Sequence, residues 1–195
     1  MSGETPSVPA NAVFTIGHST RSIDAFTSLL GESGVNLCVD VRSIPRSRTN
    51  PQFNIEILPD SLAAVGIGYR HLKALGGRRS RQGDGAPSLN ALWRNAAFRN
   101  YADYAMTAPF HAGFDELLAL ARTRRCAIMC AEAVWWRCHR RIIADYLLAE
   151  GVPVAHIMAP HVIEPSQPTA GVERAQGRVL VYPPASATDQ GVLDL

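Results

Sequence analysis

Short apolar segments alternate along this chain with longer segments of helical periodicity. The short segments occupy residues 13–16, 37–41, 68–72, 126–130 and 154–157, and all but the third are almost continuously apolar. Between them, apolar residues recur at helical spacing, as at Ile23, Phe26, Leu29 and Leu30. Continuous short runs are typical of parallel strands buried on both faces. The alternation therefore predicts one α/β domain with a doubly wound, mostly parallel sheet of about five strands and flanking helices.

The domain boundaries are predicted from composition along the chain. Residues 1–11 are rich in Pro, Ser and small residues and predict a flexible tail, and 12–160 form the α/β domain. Residues 161–195 form a C-terminal extension, with an edge strand near 178–182. No apolar run is long enough for a membrane span, and residues 1–6 do not resemble a signal peptide. We therefore expect a cytoplasmic protein with no membrane partner.

Polar side chains follow the predicted strands, and in such a sheet ligands bind outside the carboxyl ends of the strands. The loop at 42–54, which Pro45 and Pro51 should keep irregular, and the start of the helix at 139–150 add further polar groups. Asn54 should cap a helix that reaches about residue 65. The sequence thus predicts a thiol-bearing pocket with an arginine rim.

The segment from Cys126 to Arg141 carries the densest chemistry. It holds three thiols, a carboxylate, an imidazole and three guanidinium groups within sixteen residues, at the connection from a strand to a helix. Three interpretations of it remain open at this point.

In the first interpretation, Cys130 is a nucleophile. A thiol near a helix N-terminus and several cationic side chains has its thiolate stabilised. Glu132, His18 and His139 would complete the catalytic groups. The substrate would then be bound by polar residues of the strand ends and loops: Asp40, Arg42, Arg46, Asn50, Gln52, His71 and Arg140.

In the second interpretation, Cys130, Cys138 and His139 bind a metal ion such as Zn²⁺, with Glu132 or His18 as a candidate fourth ligand. The ligand types suit zinc, but Cys138 follows Cys130 by eight positions, a longer spacing than structural zinc sites use. A mixed site of this kind with an open coordination position would be catalytic. The sequence favours no particular cofactor, and zinc is the candidate if a metal ion is bound.

In the third interpretation, the cysteines only pack in the core, and Glu132 pairs with Arg137 or Arg140. Clustering argues against it, because three of the four cysteines lie within thirteen residues. Cys130 and Cys138 could also form a reversible disulfide if their Cα atoms lie within about 7 Å.

Charge is distributed unevenly. Between Arg42 and Arg99 there are ten basic residues and three acidic ones, although the whole chain has a formal net charge of only +2. This excess predicts an anionic partner, either a small molecule or a nucleic acid. We therefore favour a cysteine-centred enzyme acting on an anionic substrate, with a nucleotide or nucleic acid as the preferred class. A non-catalytic nucleic-acid-binding module is the alternative, and the oligomeric state is not predicted.

Several motifs together resemble a known family. They are Thr15-Ile-Gly-His-Ser-Thr20, Val39-Asp-Val-Arg-Ser43, Asn50-Pro-Gln-Phe-Asn54, Leu75-Gly-Gly77, Met129-Cys-Ala-Glu132 and Arg137-Cys-His-Arg140. Over residues 13 to about 182 the chain resembles the bacterial and archaeal family catalogued as domain of unknown function 488. The resemblance implies no activity, because that family has none settled. It does place the candidate catalytic residues, most of the substrate-binding candidates and Cys138 at the family's motif positions.

Overall fold

The computed structural model describes residues 8–82 and 87–184. Its main sheet has six strands: β1 Val13–Gly17, β2 Leu37–Asp40, β3 Gly68–His71, β4 Cys126–Cys130, β5 Val154–Ala159 and β6 Val162–Pro165. Their order across the sheet is β3-β2-β4-β1-β5-β6. The first five strands in that order are parallel, and β6 runs antiparallel to β5. The predicted α/β fold with a mostly parallel sheet is confirmed.

Five α-helices cover the two faces of the sheet: α1 Ile23–Glu32, α2 Leu58–Ala63, α3 Ala96–Ala105, α4 Ala108–Thr123 and α5 Arg140–Ala149. Helices α1 and α2 bury Phe26, Leu30 and Leu62 against one face, and α3, α4 and α5 form the larger core on the other. Ser22 begins α1 as its N-cap, since its hydroxyl accepts a hydrogen bond from the backbone N–H of Ala25.

The C-terminal extension differs from expectation in its strand pairing. The strand expected at 178–182 exists as β8 Leu180–Val181, but it pairs with β7 Glu173–Arg174 in a separate two-stranded sheet. The edge position of the main sheet is instead taken by β6. Because β6 ends in Pro165 and is mostly exposed, its sequence does not show the apolar pattern of a buried strand.

The loop at 42–54 also departs from expectation. It contains a short 3-10 helix, Pro51–Phe53, because proline suits the first turn of a helix. The following helix begins at Leu58 and not after Asn54, whose side-chain oxygen instead accepts a hydrogen bond from the N–H of Ser47.

The structure bears in part on the predicted N-terminal tail and on the expectation of no membrane partner. Residues 1–7 of the expected flexible tail lie outside the described residues, while Val8 packs against the core cluster that contains Phe26 and Leu62. Among the described residues, no helix combines the length and the apolar character that crossing a bilayer requires.

Candidate functional site

A cavity of about 570 Å³ lies where β1, β2 and β4 end. These three strands are neighbours in the sheet, so the residues that follow them meet at one place. Eight of the residues predicted from sequence line the cavity: His18, Arg42, Arg46, Asn50, Cys130, Glu132, Cys138 and His139.

Two sulfur atoms and one imidazole nitrogen form the centre of the site. Nδ1 of His139 lies 3.9 Å from the Sγ of Cys130 and 3.6 Å from the Sγ of Cys138. Nε2 of His139 lies 3.0 Å from the carbonyl oxygen of Val41 and therefore carries the ring proton. Nδ1 therefore faces the two thiols. We refer to Cys130, Cys138 and His139 as the sulfur cluster.

The residues of the sulfur cluster come from the end of β4 and the start of α5, and α3 packs against them. Cys130 is the last residue of β4, and Cys138 and His139 immediately precede α5. Tyr101 of α3 packs its ring edge-on against His139, with 4.9 Å between the ring centroids. The imidazole is thus fixed by a hydrogen bond on one side and by an aromatic ring on another.

The two thiols are electrostatically unequal. The hydrogen bond between the thiols and the burial of Cys130 raise the pKa of Cys130 well above its usual value. Burial opposes ionisation of Cys138, but the hydrogen bond from Cys130 and the nearby His139 and Arg140 outweigh it and lower the pKa of Cys138. Of the two thiols, Cys138 is therefore the one whose thiolate these contacts favour.

Arg140 acts from beneath the cavity, since only 1% of it is exposed and it does not line the cavity. Its Nε donates to the Sγ of Cys138 at 3.3 Å, and its second guanidinium nitrogen donates to the carbonyl oxygen of Glu132 at 2.6 Å. No carboxylate among the described residues pairs with it. A buried guanidinium needs a compensating negative charge, and Cys138 is placed to supply it.

Asp40 lies under the cavity wall and holds Arg42. The Asp40 carboxylate is fully buried and accepts hydrogen bonds from the Arg42 guanidinium, at 2.6 Å for the shortest, and from the hydroxyl of Tyr69 at 2.8 Å. Arg42 in turn donates to the carbonyl oxygen of Phe53 at 2.7 Å. Asp40 therefore orients Arg42 and lies out of reach of a substrate in the cavity.

Both ring nitrogens of His18 have partners. Nδ1 lies 2.9 Å from the carbonyl oxygen of Ser19 and carries the proton, and Nε2 accepts from Arg42 at 3.3 Å. Burial, with Arg42 nearby, lowers the pKa of His18 to about 4. Its ring stacks on Phe53 with 4.2 Å between centroids. This neutral, fully bonded histidine is arranged to position Arg42 and the loop after β1.

The remaining predicted substrate contacts are spread around the site. Gln52 donates to the carbonyl oxygen of Arg21, and Nε2 of His71 donates to the carbonyl oxygen of Arg42, so both stabilise loops outside the cavity. Arg46 lines the cavity but forms an ion pair with Glu56 at the surface. The carboxylate of Glu132 is exposed and has no ion-pair partner among the described residues.

The lining residues that were not predicted from the sequence include Gly77, Arg78 and Phe98. Gly77 lies against the ring of His139, where an added Cβ would collide with the imidazole. Arg78 and Phe98 also line the cavity. The Gly76-Gly77 pair was the available signal, because adjacent glycines mark a close backbone approach. Nothing in the local sequence shows that this loop folds over the cluster.

The other two cysteines lie apart from the cavity. Burial raises the pKa of Cys38 far above its usual value and that of Cys126 to about 11, which suits inert core thiols. Trp135 stacks on His156, with 4.2 Å between ring centroids, and does not line the cavity.

A scan against protein-family models matches residues 22–147 to the family described as Domain of unknown function DUF488. That range is more than half of the chain. The chain belongs to the DUF488 family. The matched range includes the whole sulfur cluster and Arg140, whereas His18 and β5 to β8 lie outside it. No curated protein and no solved structure matches the chain. The DUF488 match therefore supports the family and assigns no activity.

Proposed function

We propose that the protein is an enzyme that acts on a small anionic substrate in this cavity, by chemistry that depends on the thiols of Cys130 and Cys138. The observation that carries the proposal is the placement of the sulfur cluster at the floor of an arginine-lined cavity of about 570 Å³. That volume suits a small-molecule ligand, and reactive groups converging in one pocket are typical of active sites.

The charges around the cavity support an anionic substrate. Arg78 and Arg137 are exposed at the cavity and have no acidic partner among the described residues. Glu132 is the one carboxylate among the described lining residues. A guanidinium group matches the geometry of phosphate and carboxylate groups, so two uncommitted arginines favour a ligand of this type.

Phe98 favours a nucleotide within the anionic class. Its half-buried ring lines the cavity and stacks on Trp93, with 4.9 Å between centroids and 24° between the planes. An aromatic face on the wall of a phosphate-binding cavity is suited to stacking a base.

Thermal stabilisation tests the binding part of the proposal. Nucleotides and inorganic phosphate should raise the melting temperature, because a ligand that binds only the folded state stabilises it by RT ln(1 + [L]/Kd). Arg78→Ala and Arg137→Ala should weaken this effect. Arg122→Ala is the matched control, since Arg122 lies at a different cavity beside the start of β4. Equal stabilisation of all four proteins would contradict binding in the proposed cavity.

Turnover of a compound found in this way tests the chemical part. Cys130→Ser and Cys138→Ser should lower turnover by about 10²-fold or more while binding persists. Cys126→Ser changes the same residue type at the opposite end of β4 and should leave turnover unchanged. Full activity of Cys130→Ser and Cys138→Ser would reject thiol-dependent catalysis.

The basic segment from Arg42 to Arg99 supports one second candidate, a nucleic-acid-binding module without chemistry. Binding driven by phosphate contacts should weaken steeply as salt concentration rises, whereas turnover of a small substrate should respond mildly. A steep salt dependence without any turnover would favour the binding module.

A further inference from the structure

We propose that Cys130, Cys138 and His139 bind a single Zn²⁺ ion and leave one coordination position open to the cavity. Their three ligand atoms, two Sγ and one Nδ1, all lie within 4.8 Å of one another. Thiolate and imidazole are the ligands that zinc prefers in proteins, and two cysteines with one histidine form a known type of catalytic zinc site.

The distances agree with tetrahedral coordination. Zinc binds thiolate sulfur at about 2.3 Å and imidazole nitrogen at about 2.0–2.1 Å, which places the two ligand atoms about 3.6 Å apart. The Sγ atoms lie 3.6 and 3.9 Å from Nδ1 of His139. Both sulfur-to-nitrogen distances therefore suit ligands of one shared zinc ion.

The groups around the ligands orient them as metal sites require. A histidine that binds a metal usually donates its other ring N–H to a carbonyl or carboxylate, and here Nε2 of His139 donates to the carbonyl oxygen of Val41. The Sγ of Cys138 accepts a hydrogen bond from Arg140. Gly77 and Tyr101 restrict the imidazole from two sides.

The open coordination position would allow the substrate to bind the ion directly, an inference that rests on the proposed function. Two thiolates neutralise a Zn²⁺ ion, so the adjacent buried Arg140 leaves one positive charge uncompensated by the described residues. An anionic oxygen of the substrate would balance that charge in the fourth position. All three ligands line the cavity, so the fourth position is accessible from it.

Cobalt titration of the full chain tests the inference. Protein stripped of metal should bind one equivalent of Co²⁺, with a sulfur-to-cobalt charge-transfer band and the strong visible bands of four-coordinate cobalt. Zn²⁺ should displace the cobalt and abolish both signals. Cys130→Ser and Cys138→Ser should each reduce the charge-transfer band, and His139→Asn should lose tight binding. Cys126→Ser should bind as the wild type does.

Two outcomes would overturn the inference: failure of the wild-type protein to bind stoichiometric Co²⁺ or Zn²⁺, or a charge-transfer band that persists unchanged in Cys130→Ser and Cys138→Ser. The first outcome is decided by the wild-type spectrum alone, so a variant that fails to fold does not affect it. Thiol-dependent turnover without metal would leave the proposed function standing and the metal site rejected. A bound metal in a protein that turns over no anionic compound would support the metal site and reject the proposed function.

Discussion

Gly77 is the position where one added methyl group should disable the cluster. The residue packs against the imidazole of His139, and a Cβ there would collide with the ring. Gly77→Ala should therefore displace His139 and weaken zinc binding by about 10–100-fold, the usual effect of disturbing a group that orients a metal ligand. Affinity can be measured by competition with a chromophoric chelator.

Gly31→Ala is the matched control for that experiment. A Cβ at Gly31 would meet no atom of the described residues within 4 Å, and the residue lies inside α1. This substitution should leave zinc affinity unchanged and stabilise the fold by about 0.5–1 kcal/mol, because alanine favours the helix. Equal zinc affinity in both variants would show that Gly77 does not hold His139.

His156 should make stability depend on pH. It is fully buried, its Nδ1 lies 2.8 Å from the hydroxyl of Thr15, and no described residue forms a hydrogen bond with its Nε2. Burial, with Arg140 nearby, lowers its pKa to about 3. Since the unfolded-state pKa is about 6.5, protonation favours unfolding. The contribution of the neutral ring is complete above about pH 6.5 and decreases as pH falls towards 3.

His156→Asn removes this titration and keeps an acceptor for Thr15. The free energy of unfolding of the wild type should fall by about 2 kcal/mol more than that of His156→Asn between pH 7 and pH 5. Urea unfolding at both pH values measures the difference. Parallel pH dependence of the two proteins would mean that His156 is not held neutral by burial.

The cluster itself could be found from sequence, because Cys130, Cys138 and His139 lie in one segment that follows a clear strand. The sequence could not show whether a polar residue faces the cavity or lies behind its wall. Asp40 and Arg140 were assigned to substrate contact, yet each is buried and bonded to a neighbour that faces the cavity. A single sequence does not show which neighbouring groups satisfy a polar side chain.

At the scale of secondary-structure elements, hydrogen bonds to Asp145 of α5 hold the C-terminal extension in place. The Asp145 carboxylate accepts hydrogen bonds from the backbone N–H of Thr169 and from the hydroxyl of Tyr182, both at 2.8 Å. Tyr182→Phe should cost about 1.5–3 kcal/mol of unfolding free energy, because a nearly buried carboxylate loses a donor.

Tyr104→Phe provides the comparison within the same core. The Tyr104 hydroxyl donates to the neutral carbonyl oxygen of Ala74 at 2.8 Å, so its loss should cost only about 0.5–1.5 kcal/mol. Urea unfolding gives both values. A Tyr182→Phe loss no larger than that of Tyr104→Phe would contradict the role assigned to Asp145.

The parallel strands β1, β2, β4 and β5 were predictable because each is short and almost continuously apolar, as is typical of strands buried on both faces. The β6, β7 and β8 strands were harder to place. Exposed strands carry little hydrophobic pattern, and the pairing of a two-residue strand is set by its tertiary neighbours.

Over the whole molecule, the order of the strands creates the site. Because β2, β4 and β1 are adjacent, the residues after them bring Arg42, Cys130 and His18 to one edge. Helix α5 and the loop around Gly77 then enclose the cluster. We propose that this edge carries an open metal–thiolate centre facing an arginine-lined cavity.

Anomalous X-ray diffraction at the zinc edge, on crystals of the full chain grown with Zn²⁺ and a phosphate-bearing nucleotide, would locate a metal at this centre. We expect one anomalous peak within bonding distance of Cys130 Sγ, Cys138 Sγ and His139 Nδ1, with its fourth ligand a water or an oxygen of the nucleotide. Absence of a peak at the cluster, or a fourth protein ligand that closes the site, would contradict this proposal.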